Sequence, residues 1–246
     1  MDLAAHTVLV TGGSSGIGLA LAERFVDAGS DVIVCGRRED KLNAVKAKHP
    51  GMHTYVCDVE KASERVSLAE RVVREFPKLD VLVNNAGIQR RVALTQPEPW
   101  ETTHQEIAIN LEAQVHLCML LIPHLRKQAR PAIMNVTSGL AFVPMTLAPI
   151  YCATKAAFHS FTLSLRQQLA KTPIEVVEIV PPALNTDLGG PGTHAQFPPV
   201  GEFIDAAVKQ LLEGSTEVTY GFSEQASHAS RAELDQILVR MNQAQD

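Results

Sequence analysis

The chain has 246 residues, 46% of them apolar and 20% charged, with a net charge of -5 at neutral pH. This is enough for one α/β domain with a sizeable core, and the acidic balance excludes an electrostatic footprint for nucleic acid: Arg37-Arg38 and Arg90-Arg91 are pairs, not patches. Cys35, Cys57, Cys118 and Cys152 are scattered, and the nine histidines show no ligand spacing, so neither a disulfide framework nor a metal is expected.

In chain order, residues 7–10 read as a buried strand. The glycine-rich turn 11–18 follows at once and opens a helix whose apolar positions Ile17, Ala20, Leu21 and Phe25 share one face. Free N–H groups and the dipole at such a helix start favour an anion, and glycines let the backbone approach a phosphate. A second strand, 31–35, ends in Gly36, Arg37 and Arg38. An acidic residue there would bind a ribose 2′-hydroxyl and repel a 2′-phosphate. Guanidinium forks suit phosphate instead, so NADP is expected over NAD, with NAD still possible.

A polar helix (39–48), a strand (52–57) ending at Asp58 and an amphipathic helix (61–76) continue the alternation. Strand 80–83 delivers Asn84, Asn85, Ala86 and Gly87 to the edge that carries the glycine-rich turn, provided all strands are parallel. A long helix over 100–127 holds Asn110 in its interior, where helix propensity offers no reason for it. The longest apolar run near the middle, 117–123, is too short to cross a bilayer, and no basic-then-apolar leader precedes the first strand. A membrane is not expected, and a cytoplasmic location is.

Strand 131–136 leads to Ser138 at the carboxyl edge, where α/β folds place ligands. After an apolar loop, a helix carries Tyr151 and Lys155, four residues apart and on one face. An ammonium beside a phenol favours its ionised form and makes a proton donor usable near neutral pH. Strand 174–180 is stopped by Pro181-Pro182, and residues 186–200 are rich in glycine and proline, as in a mobile substrate lid. A helix (201–212), a short strand (217–220) and one polar C-terminal helix within 223–246 complete a single domain, 1–246.

Taken together, these motifs resemble the short-chain dehydrogenase/reductase family over nearly the whole chain. The turn 11–18 matches its TGxxxGIG pattern, 84–87 its NNAG, and Ser138, Tyr151 and Lys155 its catalytic order, with Asn110 as fourth member. The resemblance implies a doubly wound Rossmann domain with a parallel sheet of about seven strands and a nicotinamide cofactor over its carboxyl edge. It implies that Gly12, Ser14, Gly16, Ile17 and Gly18 border pyrophosphate and adenosine, that Arg37 faces the 2′-phosphate, and that Asp58 and Val59 flank adenine. Asn84, Ala86 and Gly87 would lie along the ribose, and Pro181, Leu184 and Thr186 near the carboxamide. Tyr151 would be the acid/base, Lys155 the ribose holder, Ser138 the stabiliser of the substrate oxygen, and Asn110 the anchor of a relay water.

Two departures stand out: Pro181-Pro182 where the family commonly has Pro-Gly, and a polar tail in place of the usual Asp-Gly-Gly turn. Both are similar to the DltE-like branch. The expected function is an NADP(H)-dependent carbonyl reductase or alcohol dehydrogenase on a small to medium apolar substrate, lined by Leu140, Phe142, Val143, Met145, Leu184, Leu188 and Phe197, and working as a homodimer or homotetramer. The alternatives are a non-redox lyase on the same fold, which would lack Lys155 and the glycine-rich turn, and a silent nucleotide-binding scaffold.

Overall fold

Seven apolar segments meet in one sheet in a computed structural model of the chain, which describes residues 1–97 and 99–243. The strands are β1 (Thr7–Thr11), β2 (Asp31–Gly36), β3 (His53–Val56), β4 (Val81–Asn84), β5 (Ala132–Val136), β6 (Glu175–Val180) and β7 (Glu217–Thr219). Their order is β3-β2-β1-β4-β5-β6-β7, and every neighbouring pair is parallel. Strand order reverses between β1 and β4, so the first loops on each side diverge there and leave a crevice at the carboxyl edge. This is the single Rossmann-like α/β domain that the sequence predicts.

Helices cover both faces. Val8 and Val10 of β1 point to one side, where α1 (Gly16–Asp27) contributes Leu21 and Phe25, and α7 (Val200–Leu212) contributes Phe203, Ile204 and Leu211. Leu9 points to the other, against α3 (Ala62–Glu75), α5 (Ala113–Leu125) and α6 (Pro149–Leu169) through Leu68, Val72, Leu117, Leu121 and Leu165. Strands buried on both faces read as continuous apolar runs, which is why β1, β2 and β4 were legible. Helix α2 (Glu39–Lys48) adds Leu42 and Val45.

Two expected helices differ in detail. The stretch 100–127 runs over Trp100–Leu125 as α4 (Trp100–Ile107), a π-helical turn Ala108–Glu112, and α5. By length and composition it could cross a membrane, with a mean hydropathy of 1.2. Its apolar side instead packs on the sheet through Leu117, Cys118, Leu121 and Leu125. The expected single C-terminal helix is two, α8 (Phe222–His228) and α9 (Arg231–Gln243). Ala229 is extended, and Ser230 and Glu233 cap each other: Ser230 N–H donates to Glu233 Oε2 at 2.7 Å and Glu233 N–H to Ser230 Oγ at 3.4 Å. That Ser-x-x-Glu box restarts the chain as a new helix. Residues 244–246 of the expected helix lie outside the described residues.

Candidate active site

The glycine-rich turn is locked to the end of β4 by polar groups aimed at backbone. Thr11 Oγ1 accepts from the N–H groups of Asn85 (3.0 Å) and Ala86 (3.1 Å) and donates to Val83 O (3.3 Å). Asn85 Nδ2 donates back to Thr11 O at 2.9 Å and Gly12 O at 3.3 Å. Gly12 has φ +64°, and a Cβ there would stand 2.9 Å from Ala86 Cα, so the two loops touch only because no side chain intervenes. At Gly16, φ +57°, a Cβ would meet only Thr186, at 3.6 and 3.8 Å. The turn thus faces an open cradle whose far wall is the first residue of the lid.

The four expected catalytic residues come from three elements. Asn110 sits in the π-helical turn and is fully buried. Its Oδ1 accepts from Ile88 N–H at 2.9 Å, and its Nδ2 donates to Ile88 O at 2.8 Å and Thr154 Oγ1 at 3.2 Å. The amide pairs with Ile88 as a neighbouring strand would, which gives this interior asparagine its structural reason. Ser138 stands two residues after β5, with its Oγ accepting from Leu140 N–H at 3.1 Å. Tyr151 and Lys155 lie one turn apart on α6, 6% and 4% exposed. Lys155 Nζ donates to Val136 O at 2.8 Å and stands 5.7 Å from the Tyr151 ring centroid. A Cβ on Gly87 would lie 3.9 Å from that Nζ, so the NNAG loop closes the same space.

Burial dominates the electrostatics of the pair. Burial pushes the Tyr151 phenol above its ordinary range, Ser138 pulls it down by hydrogen bonding, and Cys152 and Glu106 push it further up. Desolvation thus favours the neutral phenol. Burial also brings Lys155 down to about 8, opposed by the charge of Glu178. Glu106, one turn before Asn110, is wholly buried and pushed up to about 7 by desolvation, against the Arg90 N–H bond and the Arg90 charge. Its Oε1 accepts from Arg90 N–H at 3.3 Å, while its Oε2 has no partner among the described residues.

The other predicted residues divide in two. Ser14 is buried against the end of β2: a Cβ on Gly36 would lie 3.2 Å from Ser14 Oγ. Arg37 and Arg38 stand exposed beside it, and Arg38 Nη2 donates to Ser15 Oγ at 3.1 Å. Asp58 takes Glu60 N–H on its Oδ1 at 3.2 Å, next to the buried Val59. Ile17 and Gly18 open α1, and the Pro181 carbonyl accepts from Gly139 N–H at 3.0 Å. Asn84, by contrast, points into the core, where its Nδ2 donates to Asn135 Oδ1 at 3.0 Å and to Cys118 Sγ at 3.2 Å. Val143 and Leu184, expected to face substrate, are 0% and 3% exposed. Val143 packs with Ala226 and Ile237 of the tail, and Leu184 packs in the core with Phe203 and Val136, because each is the apolar side of a loop pressed onto a helix.

Sequence reasoning passed over Thr11, Asn85, Glu106 and Gln114. Gln114 donates to Ala86 O at 2.5 Å. Asn85 lay inside the quoted motif; for Glu106 the available signal was a charge one turn before Asn110, the interior polar residue that helix propensity does not explain.

Residues 6–196 match the short chain dehydrogenase family. An uncharacterized oxidoreductase, DltE, of Bacillus subtilis is 44% identical over 248 residues, covering 98% of each chain. A short-chain dehydrogenase from Sphingobium yanoikuyae in complex with NADPH is 26% identical, with a TM-score of 0.80 over 98% of this chain and 96% of that one. A 3-ketoacyl-(acyl-carrier-protein) reductase from Brucella melitensis complexed with NADH is 30% identical, with a TM-score of 0.72 over 76% and 79%.

Proposed function

From the premise that this chain belongs to the short-chain dehydrogenase family, we propose that it is an NADP(H)-dependent oxidoreductase. It reduces a carbonyl, or oxidises the corresponding alcohol, on a small to medium apolar substrate. The observation that carries this reading is the meeting of Ser138, Tyr151 and Lys155 at the mouth of an open, glycine-lined cradle, with Asn110 holding the intervening loop.

The residues present fit a dinucleotide. Gly16 leaves room that a side chain would fill, and the start of α1 offers its free N–H groups to a pyrophosphate. Gly36 puts no carboxylate at the end of β2, and the exposed Arg37 suits a 2′-phosphate; this favours NADP(H) here, whereas the two solved relatives named above hold NADPH and NADH respectively. Asp58, Val59, Ala86, Gly87 and Thr186 complete the walls, and Lys155 would hold the ribose nearest the reaction. When bound, the nicotinamide supplies or accepts hydride.

The protein's own residues manage the charge that hydride transfer leaves on the substrate oxygen. The Ser138 hydroxyl donates to that oxygen, and the protonated, desolvated Tyr151 phenol delivers its proton there. Burial favours the protonated phenol, the form from which the reducing direction starts. Leu140, Phe142, Met145, Leu188 and Phe197 supply an apolar wall. Met119 and Leu163, exposed on α5 and α6, go with a homodimer or homotetramer, and four buried free cysteines go with a cytoplasmic location.

The test is a fluorescence titration of the purified protein with NADPH and NADH, followed by a carbonyl screen with the tighter cofactor. NADPH should bind roughly tenfold tighter, about 1.4 kcal/mol. Equal or tighter NADH binding removes Arg37 as phosphate reader, and binding with no turnover of any ketone, aldehyde or enone removes the reductase reading.

A further inference from the structure

Behind the catalytic lysine lies a polar cluster that the proposed reaction does not use. Glu178, in the middle of β6, is completely buried in a strand whose neighbours are Val176, Val177, Ile179 and Val180. A carboxylate there needs partners. Its oxygens accept from Thr137 Oγ1 at 2.7 Å and from His159 Nδ1 at 2.9 and 3.0 Å. Both partners belong to the active-site elements. Thr137 stands between Val136, whose carbonyl takes the Lys155 ammonium, and Ser138. His159 stands one turn after Lys155 on α6, as Lys155 stands one turn after Tyr151, so the three share a face of the helix. The His159 ring is 21% exposed and packs on Phe142 of the substrate loop with centroids 4.7 Å apart.

We propose that Glu178 is a positioning residue of the active site: its buried carboxylate keeps Lys155 cationic during turnover, and His159 adjusts that field from the solvent side. The inference rests on the reductase reading only for why a cationic Lys155 matters.

The physical basis is local. Lys155 is sealed between β5, the NNAG loop and α6, where desolvation favours the neutral amine, and one carbonyl bond does little against that. Glu178 is the opposing charge that reaches it. The other titratable groups around this axis are Tyr151, Cys152 and Glu106 on the substrate side, and Glu217 and Arg166 on the solvent side of His159. The bond to Glu178 raises His159 above its ordinary value. While protonated, His159 balances Glu178. As pH rises and His159 loses its proton, the carboxylate acts on Lys155 uncompensated and holds its proton to higher pH.

The two partners therefore make separate predictions. The titration of Lys155 can be followed by the NMR signal of its ε-methylene, assigned by its loss in Lys155→Met, and in parallel by the alkaline limb of kcat/KM. Glu178→Gln should move both to lower pH by roughly half a unit or more; His159→Lys, which keeps a positive charge beside Glu178 at every pH, should also move both to lower pH, whereas His159→Gln, which resembles the deprotonated ring, should leave them near the parent. A purely structural role would lower the melting temperature and the activity at all pH values without moving either midpoint. Midpoints unmoved in folded Glu178→Gln or His159→Lys, or moved upward, overturn the proposal. Should Glu178→Gln not fold, His159→Lys decides alone: a downward shift supports the proposal, and no shift or an upward one overturns it. The NMR readout needs neither cofactor nor substrate, so a wild-type protein that turns over no carbonyl would sink the reductase reading and still leave the dyad decided.

Discussion

The two halves of the catalytic edge are held in place by different means. On the nucleotide side, Thr11, Asn85 and Gln114 bond to backbone groups of the glycine-rich turn and the NNAG loop, and each lock lies within or next to a short motif. On the substrate side, the loop between β5 and α6 has short-range bonds, Leu140 N–H to Ser138 Oγ and Met145 N–H to Cys152 Sγ, and is braced in addition from the end of the chain. Asn242 of α9 accepts from Thr146 N–H at 2.7 Å and donates to Pro144 O at 3.1 Å. Ile237, Leu238 and Met241 pack with Phe142 and Val143, while Ser223 of α8 donates to Val180 O at 2.5 Å. One half is ordered by motifs that bond to each other across 74 positions; the other borrows part of its order from residues almost a hundred positions later. Changes to the tail should therefore reach substrate binding without reaching the cofactor.

The variant that breaks this division most sharply acts where the halves meet. Tyr151→Phe keeps the buried ring and removes the proton donor, so kcat should fall by roughly 10²–10⁴ while NADPH affinity holds. Stopped-flow turnover beside a binding titration separates the two, and near-normal kcat would remove Tyr151 as the acid. Next in size is Asn85→Ala, which strips two hydrogen bonds from the glycine-rich turn. A loss of about 1–3 kcal/mol is expected in denaturant unfolding, together with weaker NADPH binding. If stability falls but NADPH binds as before, the lock serves the fold and not the cradle.

How much of this could be read from the residues follows the same division. Strands β1, β2 and β4 were legible because both their faces are buried, and the cradle because a tight approach such as Gly12 against Ala86 leaves only glycine as a solution. Asn110 announced itself as a polar residue that helix propensity does not explain, although nothing in the spacing foretold a π-helical turn around it. The substrate side was not legible in the same way. Val143 and Leu184 sit on loops rich in apolar residues, and only tertiary packing decides which of those face a ligand and which face a helix. The break between α8 and α9 did have a local signal, Ser230 followed three residues later by Glu233, but the polar run around it read as one continuous helix. Lys155 is the subtler case. Its spacing from Tyr151 was plain, yet its burial and the Glu178 carboxylate behind it come from a strand more than twenty residues away.

The smallest effect sharpens the comparison further. Asn242→Ala removes both bonds from the tail to the substrate loop and leaves the apolar contacts of Ile237 and Leu238 in place. The site is partly solvated, so the cost in stability should be about 0.5–1.5 kcal/mol, small beside that of Asn85→Ala. What should change is the freedom of residues 144–146, one turn before Tyr151, and with it the apolar wall that Met145 and Phe142 present. A several-fold rise in KM for the carbonyl substrate is expected, with kcat and the NADPH dissociation constant within error of the parent. If NADPH affinity falls as well, the tail supports the whole edge and the two halves are one unit. If KM does not move, the loop is ordered by its bonds to α6, such as Met145 N–H to Cys152 Sγ, and α9 only covers it.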